Sequence, residues 1–287
     1  DPLIGDNFWG NFLNWDPTSF LQVPDSNSDT AIFTIEGSDN ETVLLLGFPL
    51  PPYTVENLTI VQDNPSATGS FSFRGGFLQL ESSDPLLPAQ INYESSGNTF
   101  EGFATITSLV SDTVFNAADD SDLTYKDFAS ITGAGKLIKE GEGDLVMENL
   151  VNSYSGGTEI NEGTLSIASD SHLGDSAGTL TLDGGTLRTR ESFTTSRDTV
   201  IDNGGGTFRT NNNTILSHDG SISGTGELIK TGGGTLTLSG NNSYTGGTKI
   251  KNGVLRVSED GNLGDSSQEP SPLIAPQTCE APGERLA

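Results

Sequence analysis

Residues 222–265 read ISGTGELIKTGGGTLTLSGNNSYTGGTKIKNGVLRVSEDGNLGD, and residues 131–175 read ITGAGKLIKEGEGDLVMENLVNSYSGGTEINEGTLSIASDSHLGD. The two stretches superpose at an offset of 91 residues up to Glu148 and of 90 from Asn152 onward. One residue is therefore extra near Asn149 to Val151 in the earlier copy, as a loop insertion would give. Of the 40 pairs formed by 133–148 and 152–175, 21 are identical, which makes this part of the chain a tandem repeat.

Inside each copy a glycine-containing turn leads into a short strand whose apolar residues alternate with Thr, Ser or a charge. Gly163-Thr164-Leu165-Ser166-Ile167, Gly178-Thr179-Leu180-Thr181-Leu182 and Gly234-Thr235-Leu236-Thr237-Leu238 all follow this rule. Period-two alternation turns apolar side chains to one face, and glycine supplies the positive φ of sharp corners. No segment has a helical period. Closely spaced short strands without long crossovers predict coils that stack to bury one apolar column. The fold expected is all-β: a right-handed parallel β-helix (β-solenoid), drawn out as a single elongated rod. A β-sandwich would not need the long repeat. At roughly 20–25 residues per coil, each copy holds about four coils.

Outward from the repeat, composition divides the chain. Nine of 13 prolines lie between residues 2 and 88, none between 89 and 269, and four between 270 and 282. Each proline removes a backbone donor, so the proline-free middle suits unbroken ladders. Both tryptophans and 12 of 14 phenylalanines stand at or before Phe128, whereas 26 of 36 glycines fall between 131 and 269. Three sections are expected: 1–130, an aromatic and proline-containing β-helix with a cap; 131–267, the Gly/Thr-rich repeated β-helix; and 268–287, a proline-containing tail. An open solenoid end exposes core and unpaired strand, so Trp9, Phe12, Trp15 and Phe20 read as the cap.

Thirty-nine Asp and Glu against 13 Lys and Arg give a formal net charge of −26, which disfavours nucleic acid and anionic membrane surfaces as partners. Such a surface is compatible with loose binding of divalent cations, and no cofactor is expected. Cys279 is the sole cysteine, so an intramolecular disulfide and a multi-thiol metal site are excluded while an intermolecular disulfide is open. The longest apolar run, about Val43 to Leu50, is cut by Gly47 and Pro49, and no membrane insertion by this chain is expected. The start, Asp-Pro-Leu-Ile, lacks an initiator Met and a leader, as in a secreted protein already processed or a trimmed chain.

The run ISGTGELIKTGGGTLTLSGNNSYTGGTKIKNGVLRV and its partner copy closely resemble the autotransporter-associated β-strand repeat of passenger domains in bacterial type V secreted proteins. LTLDGGTLRT and Gly204-Gly205-Gly206-Thr207 resemble the coils that precede such a repeat, and NWDPTSFLQVPDSNSDTAIF resembles the segment that opens the coils of secreted members. The resemblance implies a secreted or surface-exposed bacterial β-helix, usually non-catalytic. It also implies a membrane β-barrel after the passenger, whereas this chain ends in SSQEPSPLIAPQTCEAPGERLA.

Chemistry is sparse. A polysaccharide hydrolase of this shape would need clustered carboxylates with Gly-His-Gly, one acid donating a proton while another activates water. Asp119-Asp120-Ser121-Asp122 is the one tight acidic cluster and reads as a solvated loop. A lyase would need a base beside calcium-binding acids; Arg188, Arg190 and Arg209 near Asp183, Asp198 or Asp202 read more simply as surface charge pairs. His172 and His218 have no ligand-spaced companion, and His172 aligns with Asn262. Gly141-Glu142-Gly143-Asp144 is a single imperfect echo of calcium-binding nonapeptides. Tyr154 and Tyr244 read as packing over a coil, and Asn152 and Asn242 as turn residues whose side chains satisfy backbone groups.

No catalytic, cofactor-binding or metal-ligating residue is assigned from the sequence. The function expected is that of a non-enzymatic extracellular or cell-surface scaffold acting in adhesion, matrix or self-assembly. The alternatives are a polysaccharide-active enzyme and a carbohydrate-binding module. Expected partners are surface polysaccharide or host-surface ligands and further copies of the chain. Self-association would run through the rod ends, with residues of about 266–287 of one subunit on the Trp9/Trp15 region of the next. The second course for the tail is to fold back on its own rod.

Overall fold

The computed structural model describes residues 87–94, 99–101, 106–119, 122–125, 130–148 and 151–265, together with the backbone of strands between residues 30 and 80 and of Cys279–Glu280. The aromatic cap at Trp9, Phe12, Trp15 and Phe20, the insertion at 149–150 and most of the tail lie outside the described residues.

Strands of two to six residues stack in parallel ladders on three faces. The first sheet has nine strands, from Thr30–Ile35 to Ile222–Gly224, and the second has ten, from Thr42–Leu44 to Thr248–Ile250. The third face carries a four-stranded sheet ending at Ser130–Gly133 and a five-stranded sheet beginning at Phe193–Thr195. Between them the ladder continues without regular strand: Ser153 N–H donates to the Ile131 carbonyl at 2.8 Å, and Asn152 N–H to the Ser171 carbonyl at 2.9 Å. Ser171 belongs to a 3-10 turn, Asp170–Leu173, which recurs as Asp260–Leu263. This is the parallel β-solenoid expected from the repeat, and ten stacked strands span on the order of 43 Å along the axis.

Alternation sets what enters the rod. Leu137, Leu145, Ile160, Leu165 and Leu182 are fully buried along its middle, each contributing about 1.5–3 kcal/mol relative to an exposed position. Corners are tight: at Gly163 (φ 58°) a Cβ would lie 2.4 Å from the carbonyl oxygens of Gly141 and Gly143. Both the left-handed backbone and that close approach require glycine.

The two repeat copies occupy different faces. Leu137–Glu140 lies in the first sheet and its counterpart Leu228–Thr231 in the second; Thr164–Ile167 lies in the second sheet and Val254–Val257 on the third face. After Leu137 the chain enters new faces at Asp144, Asn152, Thr158, Thr164, Asp170, Leu180, Thr186, Phe193, Thr199, Gly206, Ile215, Ile222 and Leu228. That is 13 steps in 228 − 137 = 91 residues, or seven residues per face. One repeat is therefore four coils and one further face, so the second copy is the first turned by a third of a revolution. At the far end the backbone of Cys279–Glu280 runs parallel to Leu255–Arg256 of its own rod, the second of the two courses expected for the tail.

Candidate functional site

Identical residues in the two copies build one buried polar unit, seen twice. Lys139 and Lys230 follow Leu137 and Leu228 by two positions, so alternation carries them inward, and both are fully buried. The Lys139 ammonium donates to the carbonyls of Glu140 and Gly141, each at 2.6 Å, and of Glu162 at 3.5 Å. Lys230 does the same to Thr231 (2.6 Å), Gly232 (2.9 Å) and Asn252 (3.2 Å). Each ammonium thus joins corner carbonyls of two successive coils. Burial pushes both groups down to about 8; at Lys139, Asp144, Glu162 and Glu140 act in the opposite direction. The corner Gly141-Glu142-Gly143, read from sequence as a faint calcium signature, turns its Gly141 carbonyl onto the chain's own cation.

Asn152 bridges three coils: its Oδ1 accepts from Ile131 N–H at 3.0 Å and its Nδ2 donates to the His172 carbonyl at 2.8 Å. Asn242 repeats this with Ile222 N–H (2.8 Å) and the Asn262 carbonyl (2.6 Å). Tyr154 and Tyr244 are fully buried, their hydroxyls paired with Thr158 Oγ1 at 2.6 Å and Thr248 Oγ1 at 2.5 Å. They pack within the rod and offer no ring face for a ligand. His172 and Asn262 share one task, since His172 Nδ1 accepts from Ala168 N–H (3.3 Å) and Asn262 Oδ1 from Ser258 N–H (3.0 Å). What the position requires is a buried acceptor.

Arg197, which sequence reasoning passed over, fixes the loop that begins at the first 3-10 turn. It is 3% exposed; Nε donates to Asp170 Oδ1 at 2.8 Å, Nη2 to the Gly174 carbonyl at 2.8 Å, and Nη1 to the carbonyls of Asp175 and of Gly178, the latter at 3.1 Å. Arg197 lies outside both repeat copies, so no internal comparison marks it. The buried lysines did carry a signal: identity between copies, in phase with an inward leucine.

The catalytic arrangements weighed from sequence are not assembled. Asp183 Oδ1 accepts from Gly204 N–H at 2.6 Å, Asp198 Oδ1 from the Ser221 hydroxyl at 2.7 Å, and Asp202 Oδ1 from Asn203 N–H at 3.2 Å, so all three are spent on turns. Arg190 pairs with Glu148 at 2.9 Å, as a surface charge pair should. Arg188 reaches Asp144 only at 3.9 Å and instead stands in register beside Arg209. From the acidic cluster, Asp122 is exposed in register with Asp144, and its carboxyl is held above the usual range by partial burial and then by Asp144, with Arg188 opposing. Both acids lie on an open sheet. His218 is 1% exposed: Nδ1–H donates to the Gly220 carbonyl (3.2 Å), which leaves Nε2 to accept from Thr199 Oγ1 (2.8 Å). Among the described residues no three His, Cys, Asp or Glu side chains gather as a metal site would need.

This solenoid, with its cation-centred corners repeated a third of a revolution apart, carries two units similar to the repeats of autotransporter passengers. The Passenger-associated-transport-repeat family model matches residues 137–167 and 228–257, each running from the strand that bears a buried lysine to the end of the strand one coil and one face further on. The chain is also 50% identical over 74 residues to the Adhesin BmaC autotransporter of Brucella suis biovar 1 (strain 1330). That stretch is 26% of this chain and 2% of the relative's length. No solved structure matches the chain.

Proposed function

We propose that this chain is a length of non-enzymatic, adhesin-like passenger that acts outside the bacterial cell, either secreted or held at the cell surface. The observation that carries the reading is the fate of the repeat's shared polar residues. Lys139, Asn152, Tyr154, Thr158 and their counterparts are turned inward and spent on holding successive coils together. The repeat is thereby an instrument of stacking, and its outer faces are free to vary. Identity to an adhesin over 74 residues supports the same reading. An enzyme is disfavoured because Asp183, Asp198 and Asp202, the acids weighed as partners of Arg188, Arg190 and Arg209, serve turns.

Self-association remains part of the proposal, with the tail as cover rather than connector, since Cys279–Glu280 lies on Leu255–Arg256 of its own rod. Beads coated with the purified chain are expected to be retained on cultured epithelial cells above bare beads. The same protein is expected to release no reducing ends from a panel of polysaccharides. Retention equal to bare beads, or steady release of reducing ends, would overturn the reading.

A further inference from the structure

The charge of the rod is unevenly laid out. Residues 180–257 hold eight Lys or Arg against six Asp or Glu, a balance of +2 inside a chain of −26. Four of the eight share one surface. On the second sheet Thr186–Thr189, Gly206–Thr210, Leu228–Thr231 and Thr248–Ile250 are consecutive neighbours, with Thr186 beside Thr207, Arg188 beside Arg209 and Ile229 beside Lys249. Leu187, Phe208, Lys230 and Ile250 point inward, so Arg188, Arg209 and Lys249 point outward; Lys251, on the corner just past the last strand, is exposed like Arg209 and Lys249. At about 4.8 Å per coil the row runs about 14 Å along the axis.

Within the described part of the molecule only the Arg188 end of this row has an acid near it, Asp144 at 3.9 Å. Among the described residues Arg209, Lys249 and Lys251 make no ion pair, and Arg188 has the Asn211 side chain at 3.2 Å and the distant Asp144. Four of the six acids of the same stretch are engaged elsewhere, Asp183, Asp198 and Asp202 on turn amides and Asp219 on the Ser239 hydroxyl. Like charges set side by side on a sheet cost stability. In a chain with three acids for every base, such a row is a cost that an anionic ligand would remove.

We propose that this face binds a linear anionic polysaccharide laid along the rod axis. Arg188, Arg209, Lys249 and Lys251 receive its carboxylate or sulfate groups, and the hydroxyls of Thr186, Thr207 and Thr231 bond its sugar hydroxyls. A planar guanidinium suits bidentate capture of either anion. A second copy of the chain fits less well, because it brings a further −26 and its acids on this stretch are held at turns. The inference rests on the adhesin-like reading and names the ligand for it.

The test uses the whole chain on immobilised heparin and hyaluronate, with neutral dextran as reference. Binding is expected to both anionic polymers and not to dextran, and to weaken with salt, more steeply on densely charged heparin than on hyaluronate. The fourfold variant R188Q/R209Q/K249Q/K251Q is expected to lose at least tenfold in affinity at a melting temperature equal to or above that of wild type. The control K136Q/R256Q is expected to stay within twofold. Equal binding by wild type and the fourfold variant, or equal binding to dextran, would overturn the proposal. So would absence of polysaccharide binding together with a wild-type dimer that the variant abolishes, which would assign the face to a second copy. If the fourfold variant still adheres to cells as wild type does, the polysaccharide assignment fails while the adhesin-like reading stands.

Discussion

Lys139 and Lys230 sit where an isolated charge is expensive, and three carbonyls each are what make the position tenable. Because burial lowers both from 10.5 to about 8, the unfolded chain holds more protons than the folded one between those values. Stability is therefore expected to rise with pH through that window, with no slope from these two groups below it. Urea midpoints at about pH 7.5 and about pH 9.5 should differ in wild type and converge in K139M/K230M; a wild-type midpoint that ignores pH would sink this account. Asn242 gives a second prediction. Its removal in N242A leaves an Ile222 N–H and an Asn262 carbonyl buried without their partner, a loss of about 2–3 kcal/mol in urea unfolding. The asparagines were legible as turn residues from the repeat alone. The lysines were passed over, because a charged residue is read as outward even where, as here, it is in phase with an inward leucine; the corner carbonyls are what let it enter.

Short strands and glycine corners follow directly from alternation and were plain in the sequence, as were the parallel ladders once the repeat was seen. The two 3-10 turns were not. Asp170-Ser171-His172-Leu173 has one apolar residue and no period, and it holds its shape through His172, Ser169 and Arg197 rather than through its own pattern. Arg197 reaches it from 27 residues further on, a spacing set by the coil and invisible to local reading. R197A is expected to strip the Asp170 carboxylate and the carbonyls of Gly174 and Gly178 of their donor, at a cost of about 2–4 kcal/mol. Hydrogen exchange locates the effect: protection should fall across residues 170–178 while 137–147 keeps its own. Uniform loss over both segments, or none in the loop, would show that Arg197 does not act as the clasp of this turn.

At the scale of the whole rod, the end coil differs from its twin within the chain. Ile160 and Ile167 are fully buried beneath a following coil, whereas Ile250 and Val257 are 9% and 8% exposed. Cys279–Glu280 covers the neighbouring strand. Removing residues 268–287 is expected to uncover it and raise the sedimentation-average mass in a concentration-dependent manner; a truncated chain that stays as monodisperse as the intact one would rule out the tail as a cover. The seven-residue face has a wider consequence. A passenger with three such repeats in succession would meet its starting orientation only after 13 coils, so its repeat-borne residues trace a slow screw of roughly 62 Å pitch. Whatever the repeat displays then points in three directions at successive heights. A rod of this kind has no preferred side and meets a flat surface with an equivalent patch however it has spun about its own axis.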